Sequence, residues 1–209
     1  MRTHPGYEHF PDGFFDRGDE DDDTVFYQPV RMVHHIDEGA IAGVGALYHE
    51  LGIDGRVLDL MSSWVSHFVE PPEHLSVLGM NWTELHANPD ADDAVAHDLN
   101  ADPELPWNDN HFDDVVCAVS VDYLTQPLEV FTEVARVLKP GGRFVCTFSN
   151  RLFPTKAICG WLVSSDPQRC GITATYFRLV DGFGEPTTET RIPPGRSDPL
   201  YAVWATAGA

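Results

Sequence analysis

The apolar residues of this chain follow two patterns. Short continuous apolar runs bounded by turn residues predict buried strands, and apolar residues three or four positions apart predict helices. The apolar runs predict five strands, at residues 57–60, 75–80, 94–97, 112–119 and 143–148. Residues 185–206 predict two further strands joined by the turn Pro193-Pro194-Gly195.

Stretches with helical spacing alternate with these runs. They lie at residues 29–51, 64–69, from 83 onward, 127–138, 155–163 and 167–180. The first stretch predicts one or two helices with a break near Gly39, and Pro71-Pro72 stops the second. Strands that alternate with helices and end in a hairpin predict a twisted, mostly parallel sheet with an antiparallel edge.

The end of the first predicted strand carries candidate chemistry. Asp59 is flanked by apolar residues, and Ser62 and Ser63 follow it in a polar turn. In open α/β sheets, ligands bind beyond the carboxyl ends of the strands, and a glycine-rich turn usually lets backbone N–H groups approach them. This chain has no glycine between Gly55 and Gly79. The two serines are small and carry hydroxyl groups, so the stretch is either a nucleotide-like binding turn or a structural one.

Charge narrows the classes of partner. The 209 residues contain 33 acidic and 13 basic residues, giving a net charge of −20, and only Lys139 and Lys156 are lysines. Such a surface repels nucleic-acid phosphate and anionic membranes, so neither is an expected partner. The acidic excess favours a halophilic protein from a high-salt cytoplasm, and the alternative is a mesophilic protein with an acidic tail.

Composition also indicates the organisation of the chain. Apolar residues make up 43% and aromatic residues 11%, enough for the core of one domain. Residues 1–23 predict an acidic, mobile tail from which Phe10, Phe14 and Phe15 could dock, and residues 24–209 predict the domain. Cys117 and Cys146 lie in apolar runs and should be buried and reduced. With no membrane-spanning run, a cytoplasmic location is expected.

Several motifs together resemble a known family. The stretch from Phe112 to Val116, a helix, and then residues 133–143 with Arg136-Val137-Leu138-Lys139-Pro140-Gly141-Gly142 resemble class I S-adenosylmethionine-dependent methyltransferases, nearest to the small-molecule type 11 group. Residues 59–67, 79–81, 98–100, 119–124 and 149–156 resemble a subgroup with a Ser-Ser-Trp turn in place of the glycine-rich motif. The resemblance implies a Rossmann-like, seven-stranded, mostly parallel sheet with an antiparallel C-terminal strand and helices on both faces.

The resemblance also implies how S-adenosyl-L-methionine would lie across the strand ends. Asp59 would lie at its methionine part, above a turn lined by Met61, Ser62 and Ser63. Asn81 stands where an acidic residue usually grips both ribose hydroxyls, and without a charge those hydrogen bonds are roughly half as strong. The remaining cofactor positions are Trp82 packing on the adenine, Asp98 accepting from its amino group, Leu99 donating its backbone N–H, and Ser120 bordering the sulfonium.

Methyl transfer from a sulfonium chiefly needs an oriented acceptor, and a base only where the acceptor has a proton of high pKa. The catalytic candidates are Tyr123, His67 and His34, and Asp37 and Asn150 are further polar residues expected near the mouth. His34 and Asp37 would share a helix face. The acceptor is a small molecule that the sequence does not identify, and the oligomeric state stays open.

Three other functions compete with methyl transfer. One is a non-catalytic protein that binds S-adenosylmethionine or a nucleoside on a degenerate methyltransferase scaffold. A nicotinamide dehydrogenase is disfavoured because the Gly-x-Gly-x-x-Gly turn is missing. A metal enzyme would need His34, His35, Asp37 and His67 to converge, and no metal is expected.

Overall fold

A single seven-stranded sheet forms the centre of the molecule in the computed structural model, which describes residues 2–208. The strand order is β3-β2-β1-β4-β5-β7-β6. The strands are β1 Arg56–Leu60, β2 His74–Gly79, β3 Asp93–Ala96, β4 Phe112–Ala118, β5 Leu138–Phe148, β6 Thr187–Ile192 and β7 Leu200–Thr206. Strands β1 to β5 are parallel, and β7 pairs antiparallel with both β5 and β6. The predicted fold class is confirmed.

Helices cover both faces of this sheet. They are α1 Asp23–Tyr27, α2 Glu38–Leu51, α3 Trp82–His86, α4 Pro127–Val137, α5 Cys159–Leu162 and α6 Asp166–Leu179. One core, under α4 and α6, includes Phe131, Phe144 and Phe177, and the other, under α2, includes Val44 and Tyr48. The central strands are therefore buried on both faces, whereas the edge strands β3 and β6 are partly or mostly exposed.

Two helix predictions were wrong. Residues 29–37 are not helical, and α2 begins only at Glu38, where the Asp37 carboxylate accepts a hydrogen bond from the Ala40 N–H at 2.9 Å. Residues 64–69 also form no helix. Contacts of Ser66 with residues far along the chain hold that short segment before Pro71-Pro72, so tertiary structure overrides the local pattern.

The N-terminal segment, residues 2–37, packs on the rest of the domain. A mobile tail was expected over residues 1–23, with Phe10, Phe14 and Phe15 able to dock. Phe15 is 3% exposed and its ring meets the rings of Phe10, Phe14 and Tyr176 at centroid distances of 4.9, 5.0 and 6.3 Å. These rings bury enough apolar surface to hold an acidic segment in place.

A buried ion cluster also fastens this segment. The Arg17 guanidinium donates two hydrogen bonds to the Asp23 carboxylate, both at 2.8 Å. The Lys156 ammonium, fully buried, lies 3.0 Å from Asp23 Oδ1 and 3.2 Å from Asp19 Oδ2. Since the acidic run meets these cations, its charge is compensated locally.

Cys117 and Cys146 are buried with free thiols, as predicted. Burial raises the pKa of both thiols, which keeps them protonated. Within residues 2–208, no helix combines the length and apolar character needed to cross a bilayer.

Candidate functional site

A cavity of about 290 Å³ opens at the carboxyl ends of β1, β2 and β4. Eleven of the twelve predicted site residues line it, namely Tyr123, His67, His34, Asp59, Met61, Ser62, Ser63, Asn81, Asp98, Leu99 and Ser120. The N-terminal segment closes one side with Asp23, Tyr27 and Arg31. The sequence therefore brought the right strand ends together, but it missed the contribution of the segment that precedes them.

Trp82, predicted to pack on the adenine, is the exception because it does not line this cavity. Its side chain is 55% exposed and is absent from the cavity lining. The indole instead packs on the His86 ring one helical turn later, with centroids 3.8 Å apart. Position 82 begins α3, and the direction of the helix turns its side chain outward.

Asp59 holds the turn that follows β1. Its carboxylate is 3% exposed and Oδ2 accepts hydrogen bonds from the hydroxyls of Ser62 at 2.7 Å and Ser66 at 2.5 Å. The Asn88 amide donates to the Ser66 oxygen at 2.8 Å. Burial raises the pKa of Asp59 to about 6, and the two hydroxyls counteract that rise. The aspartate thus shapes the floor of the cavity through the serines.

The backbone is strained where β1 and β4 end. Met61 and Val119, each the first residue after its strand, have φ angles of +58° and +49°. The left-handed region is costly for any residue except glycine and most costly for a β-branched one. Such strain persists only where the surroundings enforce it, and here both strained residues line the cavity.

Gly79 lets the turn after β1 pack closely against the end of β2. A Cβ atom at this position would lie 2.2 Å from the carbonyl oxygen of Ser62, a distance that no side chain tolerates. The Ser62 N–H donates to the Leu78 carbonyl at 2.7 Å, which ties the turn to β2. This glycine therefore permits a close approach between the turn and the neighbouring strand.

Asn81 uses its whole hydrogen-bonding capacity within the protein. Its Oδ1 accepts from the N–H groups of Thr83 at 3.0 Å and Glu84 at 3.2 Å, capping α3. Its Nδ2 donates to the carbonyl oxygens of Tyr27 at 2.9 Å and Gln28 at 3.1 Å. With two donors and two acceptors all paired, this amide joins α3 to the N-terminal segment.

Glu84 lines the same cavity, and the sequence reading did not single it out. Its Oε1 accepts from the Arg31 N–H and its Oε2 from the Ser63 hydroxyl, both at 2.6 Å. The side chain is almost fully buried. Only long-range contacts, separated by 21 and 53 positions in the chain, reveal this residue.

Asp98 and Leu99 form the wall after β3. Asp98 Oδ1 accepts from the N–H groups of Asn100 at 2.9 Å and Ala101 at 3.2 Å. Among the residues that the structure describes, Oδ2 has no such partner, and Asp98 lines the cavity. The buried Leu99 adds an apolar surface beside this acceptor.

Tyr123 is placed as a neutral group. Its hydroxyl oxygen accepts from the Phe153 N–H at 2.9 Å, and burial raises the pKa of the phenol well above its ordinary value. A phenol that stays protonated can donate a hydrogen bond but cannot serve as a base near neutral pH.

Three rings lie together at the mouth. His34 stacks on Trp64 with centroids 5.0 Å apart, and His67 meets His34 edge-on at 6.3 Å. Burial lowers the pKa of His67 to about 4, so its imidazole is neutral at pH 7. Its Nδ1 is buried and, within the described chain, has no hydrogen-bond partner.

Asp37 does not join these histidines. Its carboxylate accepts from the Ser197 hydroxyl at 2.7 Å and the Asp198 N–H at 2.8 Å, away from the cavity. Asn150 also does not line it. Residues 2–208 contain no cluster of three or more histidine, cysteine, aspartate or glutamate side chains arranged to hold a metal ion.

The lining suits an adenosyl cofactor. Asp98 and Glu84 supply carboxylate acceptors, Leu99 supplies an apolar wall, and Gly79 leaves room for the close turn beneath. Ser120, whose hydroxyl donates to the Ala118 carbonyl at 3.0 Å, closes the end of β4. Hydroxyls and an exocyclic amine would find acceptors here, which is the donor pattern of a nucleoside.

Comparison with known proteins agrees with this geometry. Residues 73–146 match the family model described as a methyltransferase domain. Two curated relatives are both named ubiquinone/menaquinone biosynthesis C-methyltransferase UbiE. The protein from Pseudomonas putida is 35% identical over 158 residues, covering 66% of this chain and 61% of its own length. The one from Pseudomonas fluorescens (strain Pf0-1) is 35% identical over 125 residues, covering 56% and 47%.

This chain therefore spans about half to three-fifths of the length of these two relatives. Among solved structures, a SAM-dependent methyltransferase from Aquifex aeolicus superposes with a TM-score of 0.55 and 15% identity, covering 82% of this chain and 94% of that one. That likeness concerns the fold. Residues 73–146 are thus similar to a methyltransferase domain, and the fold around them is that of class I S-adenosylmethionine-dependent methyltransferases.

Proposed function

We propose that this chain transfers a methyl group from S-adenosylmethionine to a small aromatic hydroxyl compound of the quinol class. The observation that carries the proposal is the cavity at the carboxyl ends of β1, β2 and β4, which combines nucleoside acceptors with an aromatic mouth. The quinone names of the curated relatives support this class of acceptor. The flat surfaces of Trp64, His34 and Phe153 suit an aromatic ring.

The cofactor would lie over the turn that Asp59 holds. We assign Met61, Ser62 and Ser63 to the floor under its methionine part. Asp98 and Leu99 would meet the adenine, and Ser120 would border the sulfonium. When bound, S-adenosylmethionine supplies an electrophilic methyl group on sulfur.

His67 is the best placed group to receive the acceptor. Because its imidazole is neutral and lines the cavity, a ring nitrogen can accept a hydrogen bond from the acceptor's hydroxyl. Such a bond shifts electron density toward the ring that is to be methylated. Tyr123 would donate a hydrogen bond from its hydroxyl to a second oxygen of the acceptor, and His34 would pack on the acceptor with Trp64.

The N-terminal segment would exclude water from the reaction. Asp23, Tyr27 and Arg31 line the cavity from this segment, and the buried Lys156 fixes its position. Positioning and water exclusion together account for most of what such a displacement needs.

Transfer of a labelled methyl group to a panel of hydroquinones, catechols and simple phenols in molar KCl tests the proposal. We expect label in a diphenol and a marked loss in His67→Gln, which keeps the size but not the ring. His49→Gln, at the end of α2 and outside the cavity, is the matched control. Binding of cofactor with no label in any aromatic acceptor would contradict the proposal.

A second candidate is a non-catalytic protein that binds S-adenosylmethionine or a nucleoside. The saturated amide of Asn81 favours it, because the position that usually grips the ribose is already occupied by the protein. Micromolar affinity for S-adenosylmethionine without turnover on any class of acceptor would favour this candidate over methyl transfer.

We also infer a cytoplasmic, high-salt setting from the charge of −20. The partner is a small-molecule acceptor, with nucleic acid and membrane disfavoured by the same charge.

A further inference from the structure

The acidic side chain of Glu84 connects three elements that line the cavity. Glu84 projects from α3, accepts from Ser63 in the turn after β1, and accepts from Arg31 in the N-terminal segment. Glu84 thus links the turn after β1, helix α3 and the N-terminal segment at the cavity.

Glu84 retains acceptor capacity. A carboxylate has about four lone-pair sites, and here each oxygen receives one hydrogen bond from within the described chain. One site on each oxygen therefore stays open in a buried carboxylate that lines the cavity. Two adjacent acceptors of this kind match two neighbouring hydroxyl donors.

Asn81 has no comparable capacity. Accepting ribose hydroxyls would require it to release the cap of α3 or share an oxygen that already has two partners. Its amide N–H groups point to the carbonyls of Tyr27 and Gln28, so they are unavailable as well.

We propose that Glu84, and not Asn81, is the residue that receives the two ribose hydroxyls of the cofactor. Asn81 instead fixes the N-terminal segment over the site. The carboxylate that the strand end lacks is thus supplied three residues later, from the first turn of α3. This inference rests on the proposed binding of S-adenosylmethionine, and it concerns affinity for the ribose and not the methyl acceptor.

Competition by nucleosides distinguishes whether Glu84 or Asn81 binds the ribose hydroxyls. Adenosine and 2′,3′-dideoxyadenosine displace S-adenosylhomocysteine from the full-length chain, and the ratio of their inhibition constants reports the hydroxyl contacts. In the wild-type protein we expect adenosine to bind roughly 10- to 100-fold tighter, the range for hydrogen bonds to a charged group. In Glu84→Gln the ratio should fall to roughly 3- to 10-fold, because hydrogen bonds to an uncharged amide are about half as strong.

Asn81→Asp is the matched variant. Aspartate caps a helix as well as asparagine does, and it restores the acidic residue at the usual place. If Asn81 were the ribose residue, this change would increase the preference for adenosine. We expect no increase, because the change replaces two donors to the Tyr27 and Gln28 carbonyls with a repelling carboxylate.

A wild-type ratio that survives in Glu84→Gln, or one that rises in Asn81→Asp, overturns the assignment. Failure of the wild-type chain to bind S-adenosylhomocysteine would instead refute the proposed function. If circular dichroism shows that Glu84→Gln does not fold, a crystal structure of the wild-type protein with S-adenosylhomocysteine identifies the ribose-binding residue. Ribose oxygens within hydrogen-bond distance of Glu84 support the proposal, and ribose oxygens on Asn81 overturn it.

Discussion

Replacing Asp59 by asparagine should stabilise the protein at alkaline pH and leave it little changed at acidic pH. A pKa of about 6 in the folded chain, against an ordinary value of 3.8, means that folding opposes ionisation of this carboxyl. The difference corresponds to about 3 kcal/mol of unfavourable free energy once the group is ionised. Asparagine keeps the oxygen that accepts from Ser62 and Ser66 but removes the buried charge.

The pH window follows from these two values. The folded-state pKa lies above the unfolded value, so the cost of Asp59 is absent below about pH 4, grows between about 4 and 6, and is complete above about 6. The gain in Asp59→Asn should therefore approach about 3 kcal/mol at pH 8 and shrink toward zero near pH 4. Asp122, also buried and with its pKa raised to about 7, is present in both proteins and cancels from the comparison.

Urea unfolding of both proteins at pH 4.5 and about 8 measures this difference. Asp12→Asn, at an exposed acid, provides a control in which the two pH values should give the same result. If Asp59→Asn is equally destabilising at both pH values, the carboxylate is an essential ionised partner of the turn, and the reasoning is refuted.

Three further results are expected. Lys156→Met should cost about 3–5 kcal/mol and expose residues 17–35 to limited proteolysis, because it leaves Asp23 buried without one of its cations; unchanged cleavage would mean that the aromatic contacts alone hold the segment. The melting temperature should rise between about 0.1 and 1 M KCl as the Debye length falls from about 10 to 3 Å, and a flat response would contradict the high-salt interpretation. Trp82→Ala should change the affinity for S-adenosylhomocysteine by less than about twofold, since the indole lies outside the cavity; a larger loss would restore its predicted place on the adenine.

The sheet was predictable because the strands of its parallel part contain short apolar stretches, and polar residues follow these stretches at the strand ends. Asp59 follows from this rule, since the carboxyl ends of parallel strands meet at one edge, whereas Asp98 and Ser120 were predicted from the family resemblance. Because the central strands are buried on both faces, their apolar sequences differ clearly from those of the polar turns.

The features that were missed depend on contacts between distant parts of the chain. The run Asp19-Glu20-Asp21-Asp22-Asp23 indicates a mobile tail unless one knows that Lys156 lies against it. Ser66 and Glu84 carry no local signal, because their partners lie on other elements. Trp82 lies outside the cavity for a different reason, because α3 sets the direction of its side chain.

Calorimetric titration of this chain with S-adenosylhomocysteine in molar KCl tests most directly whether the cavity binds the cofactor. We predict one site per chain with micromolar affinity. We also predict that binding shifts the NMR signal of the His67 imidazole, a shift that is absent in His67→Gln. Absence of binding, or binding that leaves the His67 signal unmoved, would contradict the claim that the cavity at the ends of β1, β2 and β4 is the cofactor site.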